Sequence, residues 1–109
     1  MNAENTYCVV LTTANNDSNT QQMITELLSQ RLAACIQTMP ISSHYVWEGK
    51  VCQDQETLIV IKTQQACYGD VERLITSLHD YDVPEIIQLP ITEGFNPYLS
   101  WITQHTQKK

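Results

Sequence analysis

Apolar positions recur along this chain with two different periods, and the switches between them mark its elements. Tyr7-Cys8-Val9-Val10-Leu11-Thr12-Thr13 is β-branched and nearly continuously apolar, which is how a strand buried on both faces reads. It is expected at the centre of a sheet. The turn cluster Ala14-Asn15-Asn16-Asp17-Ser18-Asn19 follows, with Ser18 and Gln21 spaced as a capping box. Met23, Ile24, Leu27, Leu28 and Leu32 then recur with a helical period, while Gln22, Glu26, Ser29 and Gln30 fall on the other side. That pattern predicts an amphipathic helix ending near Arg31 or Leu32.

From Cys35 to Trp47 the chain is extended, turns at Glu48-Gly49 or Gly49-Lys50, and returns over an equal length. Antiparallel pairing across that turn puts Cys35 opposite a residue between Lys62 and Gln64. Pro40 cannot donate to a ladder, so a bulge or an open edge is expected there. On the return arm Thr57, Ile59, Ile61 and Thr63 point to one side, and Glu56, Leu58, Val60 and Lys62 to the other. Glu56 and Lys62 thus share a face but lie roughly 20 Å apart along a strand, so a joint site needs a second copy. About a dozen residues per arm span roughly 40 Å, more than the roughly 34 Å diameter of a domain of about 100 residues. The hairpin overhangs its own domain, and its aromatic tip calls for a partner.

Beyond the hairpin, Val71, Leu74, Ile75 and Leu78 form a helical stripe that ends near His79. Pro84 keeps the chain extended into Ile86-Ile87-Gln88-Leu89, and Pro90 limits that short edge strand or bulges it before Ile91. Asn96-Pro97 reads as an N-cap followed by proline at the first helical position, with Tyr98, Trp101, Ile102 and His105 on one face of a last helix. The order is strand, helix, long strand, long strand, helix, strand, helix. The first six form an antiparallel sheet with helices packed on one face, so the fold class is α+β: a ferredoxin-like split β-α-β sandwich with a long β-hairpin and an extra C-terminal helix.

Composition narrows the function. One domain accounts for 109 residues. The formal charge of -6 repels phosphate backbones, and the one adjacent basic pair is Lys108-Lys109, so no nucleic-acid partner is expected. Met1 to Thr6 is polar rather than a leader, and no apolar run approaches the ~20 residues of a membrane helix, so no membrane insertion and a cytoplasmic location are expected. Cys8, Cys35, Cys52 and Cys67 contain no C-x-x-C spacing and read as free thiols. No nucleophile elbow and no Gly-rich phosphate loop is present. The chain is not expected to be an enzyme.

At Arg31-Leu32-Ala33-Ala34-Cys35, Tyr45-Val46-Trp47-Glu48-Gly49-Lys50, Glu56 to Lys62-Thr63, His79-Asp80-Tyr81-Asp82-Val83-Pro84-Glu85 and Tyr98-Leu99-Ser100-Trp101, the chain resembles the CutA family of divalent-cation tolerance proteins. The resemblance covers Tyr7 to about Thr106. It implies a single domain over 1–109 with an ordered core of about 7–106, assembled as a homotrimer similar in architecture to the PII signalling proteins. It also implies a role in divalent metal ion tolerance, with copper the metal most often associated. The family's recurrent polar positions fall on Cys35, Trp47, Glu56, Lys62, His79, Tyr81 and Glu85, implied to line clefts between subunits. The chain has Asp80 where the family usually has proline. Thr12 and Leu78 stand where some members carry a cysteine and a second histidine. A metal site built from those groups would keep only His79.

Two chemistries remain open. His79, Cys35 and Glu85 are the candidate metal ligands, since imidazole and thiolate suit copper or zinc and a carboxylate can complete the shell. The plainer readings are a helix cap for His79 and core packing for Cys35. No obligatory cofactor is expected beyond a divalent cation, copper or zinc. Trp47, Glu56, Lys62 and Tyr81 are the candidate cleft residues, and Lys62 pairs with a partner's carboxylate such as Glu85 or binds an anion. The second possibility makes the protein a PII-like sensor trimer that takes a small anionic ligand between subunits.

Overall fold

The structure, a computed structural model, describes residues 6–107. The single domain read over 1–109 is seen over that span; the polar start at Met1 and the pair Lys108-Lys109 lie outside the described residues. The elements are β1 (Tyr7–Ala14), α1 (Asp17–Ser29), β2 (Cys35–Trp47), β3 (Lys50–Gln64), a 3-10 turn (Gln65–Cys67), α2 (Tyr68–Leu78), β4 (Ile86–Ile91) and α3 (Asn96–Gln104). The four strands pair in the order β2-β3-β1-β4, every pair antiparallel. This is the split β-α-β arrangement, with the apolar β1 in an interior position.

The core lies between the sheet and α1 with α2. Cys8, Val10, Ile59 and Ile61 point inward from β1 and β3 to meet Met23 and Leu27 of α1 and Val71 and Ile75 of α2, all essentially inaccessible. Each such side chain contributes about 1.5–3 kcal/mol by leaving water. The first helix is capped two residues earlier than the Ser18 box. Asn16, in an extended conformation, accepts the Asn19 N–H at 2.9 Å. It also ends earlier than expected, at Ser29. Arg31 takes φ 57°, donating to the Leu28 carbonyl while Leu32 donates to that of Leu27. These are the two bonds of a Schellman termination.

The hairpin register is unbroken from Cys35↔Lys62 to Trp47↔Lys50. Pro40 makes no bulge, because β2 is an edge strand and Pro40 sits opposite Thr57 without interrupting the ladder. Pro90 likewise stays inside β4, the other edge, opposite Cys8. Since β1 ends with Ala14 opposite Thr57, the hairpin from about Glu56 to its tip has no β1 neighbour. The molecule is correspondingly drawn out, measuring 49 × 26 × 21 Å.

The last helix, α3, packs on the sheet face opposite to α1 and α2. Its N-cap is Phe95, without a side-chain cap, and Asn96 is already helical. Tyr7, Lys62 and Gln64 belong to the strand positions that face away from α1 and α2, and they meet α3. The Tyr7 and Thr103 hydroxyls bond at 2.5 Å, the Gln64 amide donates to Thr106 Oγ1 at 2.6 Å, and Lys62 Nζ stands 5.7 Å from the Tyr98 ring centroid. α3 thus covers one end of the second face. The rest of that face keeps Met39, Ile87 and Leu89 exposed, at 52%, 46% and 47%, beside the half-buried Val9, Leu11, Leu58 and Val60.

The hairpin tip turns on Glu48 and Gly49 with φ 52° and 78°, the left-handed pair that a two-residue type I′ turn requires. Open space surrounds Gly49, so an added methyl meets no clash and acts through backbone strain alone. Gly49→Ala should lower stability by about 1–2 kcal/mol, whereas Glu48→Gly should be neutral or stabilising. Urea denaturation of both variants checks the pair, and equal effects would contradict this turn.

Candidate functional site

The register divides the polar residues of the hairpin between two ends of one face. On β2, Ile41, Ser43, Tyr45 and Trp47 alternate to the same side and stand opposite Glu56, Asp54, Cys52 and Lys50. Where the hairpin leaves β1, the segment after α2 comes up beside it. A cavity of about 670 Å³ results, lined by Tyr45, Trp47, Asp54, Glu56, Tyr81 and Glu85 among others. Glu56 is fixed on both oxygens: Oε1 accepts the Ser43 hydroxyl at 2.6 Å and Oε2 the Tyr81 hydroxyl at 2.5 Å. Tyr45 donates its hydroxyl to Asp54.

His79 holds this arrangement from behind. It is the C-cap of α2, and its side chain is fully buried. Nε2 lies 2.6 Å from the Thr13 carbonyl, and Nδ1 accepts the Tyr81 N–H at 3.1 Å. These partners assign the proton to Nε2. With the rings of His79 and Tyr81 4.4 Å apart, the imidazole ties the end of β1 to the segment that delivers Tyr81 to Glu56. Both ring nitrogens are occupied, so the expected use of His79 as a ligand has no free donor atom in this chain.

At the other end, Cys35 faces Lys62 across the strand pair, within the Lys62 to Gln64 range expected from the turn. Tyr98 joins them. Burial, then the Cys35 sulfur nearby and its hydrogen bond, push the Tyr98 phenol above its ordinary value. Lys62 lies over the Tyr98 ring at a cation–π distance. Tyr98 stacks in turn on Trp101, and Trp101 on His105. Among the described residues no carboxylate comes within ion-pair distance of Lys62.

Six residues of β3 separate Glu56 from Lys62, roughly 20 Å at strand rise. One chain therefore brings Trp47, Glu56, Tyr81 and Glu85 together, and separately Cys35 with Lys62. It does not bring His79, Cys35 and Glu85 into one shell. Among the described residues no three His, Cys, Asp or Glu side chains stand close enough to hold a metal ion. Ser43, Asp54 and Tyr98 were not foreseen as site residues. Counting the register back from Gly49 places Ser43 opposite Asp54, but nothing local reveals that α3 returns to Cys35.

A family profile described as CutA1 divalent ion tolerance protein matches residues 8–105. The chain belongs to the CutA1 family. It is 38% identical over 99 residues to the divalent-cation tolerance protein CutA of Thermus thermophilus, covering 90% of this chain and 96% of that relative. It is 40% identical over 100 residues to the chloroplastic protein CutA of Arabidopsis thaliana, covering 91% of this chain and about half, 55%, of that longer protein. Among solved structures, CutA1 from Oryza sativa superposes with a TM-score of 0.91 at 37% identity, over 95% of this chain and 96% of the other. The CutA1 fold is thus the fold of this chain. In the described residues no helix is long and apolar enough to cross a membrane.

The tyrosine–carboxylate bonds give the cavity a titration signature. The Asp54 bond, first, and burial push Tyr45 up to about 12. Burial first, and then the Glu56 bond, raise Tyr81 from its ordinary 10.0. A phenol whose folded pKa is raised stabilises the fold fully below its unfolded value near pH 10, and that contribution is lost as pH rises through the folded value. Tyrosinate absorbance, followed with circular dichroism, should show Asp54→Asn lowering the Tyr45 midpoint and Glu56→Gln lowering that of Tyr81. Unmoved midpoints would contradict these bonds.

Proposed function

We propose that this chain serves divalent-cation tolerance as a non-enzymatic homotrimer in the cytoplasm, taking up copper or zinc weakly where subunits meet. The observation that carries the reading is the division of the CutA1 polar residues between two ends of one strand. The sulfur donor, Cys35, and the oxygen donors, Glu85 with its neighbours, lie in separate clusters of each chain. They can converge only between copies. His79 then contributes by fixing the segment that carries Tyr81 and Glu85, with its own nitrogens occupied. The Met39, Ile87 and Leu89 face, with its half-buried neighbours, and an overhanging hairpin with Val46 and Trp47 exposed at the tip support assembly, since contiguous apolar surface and open strand edges call for a partner. Four free thiols suit a reducing compartment.

A PII-like sensor is the second reading, and one observation favours it: Lys62 is held over Tyr98 with no carboxylate in reach among the described residues, leaving its charge to meet an anion. Thermal-shift screening of small anionic metabolites, with Lys62→Met as control, separates the two readings. A melting-temperature rise lost in the variant supports the sensor.

For the leading reading, sedimentation equilibrium at micromolar concentration should return the mass of three chains, and a monomer would contradict it. Calorimetric titration with Cu(II) and Zn(II) should show saturable binding that Cys35→Ser or Glu85→Gln weakens. Unchanged affinity in both variants would overturn this placement of the metal.

A further inference from the structure

We propose that the cavity beneath the hairpin is a binding site for an alkylammonium group. Its walls carry the aromatic rings of Tyr45, Trp47 and Tyr81 together with the carboxylates of Asp54, Glu56 and Glu85, and among the described residues no lysine or arginine lines it. Aromatic faces attract cations, most strongly where water is excluded, and carboxylates accept charge-assisted hydrogen bonds from an N–H donor.

The spread of the carboxylates selects the class of cation. A bare metal ion needs three or more donors converging within little more than 2 Å, and no such group forms here. A volume of about 670 Å³ lies within the usual range for small-molecule sites. Its occupant should have an apolar body to lie against the rings and a charged amine to reach the acids. Glu56 is the prepared anchor. The Ser43 and Tyr81 hydroxyls fix its orientation, and each carboxylate oxygen keeps a second lone pair for an incoming donor.

An alkylammonium can come from two sources. One is a free amine in solution; the other is the Lys62 side chain of a neighbouring copy, to which the described residues of its own chain offer no carboxylate. The proposal does not rest on the metal reading: although Glu85 serves both, Glu56→Gln should weaken amine binding and leave copper and zinc affinity unaffected, and Cys35→Ser should do the reverse.

The test uses the Trp101→Phe protein, in which Trp47 is the remaining tryptophan, titrated with 1,5-diaminopentane. Saturable change in Trp47 emission in that protein indicates an open site for free amine. Saturation that appears only after Lys62→Met is added indicates a site filled by the neighbour's lysine. In whichever protein responds, Glu56→Gln, which keeps the shape of the side chain, should weaken binding by about tenfold or more. Glu85→Gln provides a second reading should Glu56→Gln alter the fold by circular dichroism. No saturable change with or without Lys62, or affinity untouched by both glutamine variants, would overturn the proposal.

Discussion

The pairing register of the β2–β3 hairpin is the constraint on which the other features depend. Side chains on a strand alternate with a period of two, so a slip of one residue would send every group on β2 to the opposite face. Here the register is set by a two-residue turn whose residues, Glu48 and Gly49, both adopt positive φ. It follows that Ser43 and Tyr45 share a face with Glu56 and Asp54 and bond to them diagonally, that Cys35 faces Lys62, and that Ile59 and Ile61 enter the core while Leu58 and Val60 do not. Core, cavity and the Cys35–Lys62 corner are three readings of one alignment.

Much of this was legible before any coordinates, because it depends on local periods. The interior position of β1, the buried Val71 and Ile75 stripe and the pairing of Cys35 with a residue between Lys62 and Gln64 follow from apolar spacing and one glycine. Other features depended on choices that sequence leaves degenerate. Asn16, Asp17 and Ser18 can each cap a helix, and the extended backbone at Asn16 decides among them. Arg31 takes a left-handed position usually held by glycine, where its guanidinium reaches the Gln104 carbonyl at 2.8 Å, a contact across 73 residues. The face chosen by α3 is also non-local, since an amphipathic pattern names a buried stripe without naming what buries it. His79 is the clearest instance: histidine among acids suggests a ligand, but its ring nitrogens are claimed by Thr13, 66 residues away, and by Tyr81.

Function in this CutA1 chain is divided accordingly. A rigid core and a well-determined hairpin present two small clusters that a single chain keeps apart, beside an apolar face that it leaves open. The clusters offer charge, aromatic surface and one thiol at fixed positions, which the proposed function uses between copies. The metal reading and the alkylammonium reading both start from that division; they share Glu85 and differ in relying on the Cys35 thiol and on Glu56 with its aromatic neighbours, respectively.

The central claim is that the open edge and overhang of the hairpin are covered by further copies of the chain. Hydrogen exchange of the outward-facing backbone amides of β2, from Gln37 to Trp47, tests it most directly. Covered amides should exchange orders of magnitude more slowly than those of the exposed Asn15-Asn16 turn, and slow further with protein concentration. Exchange at the rate of that turn at every concentration would contradict the account.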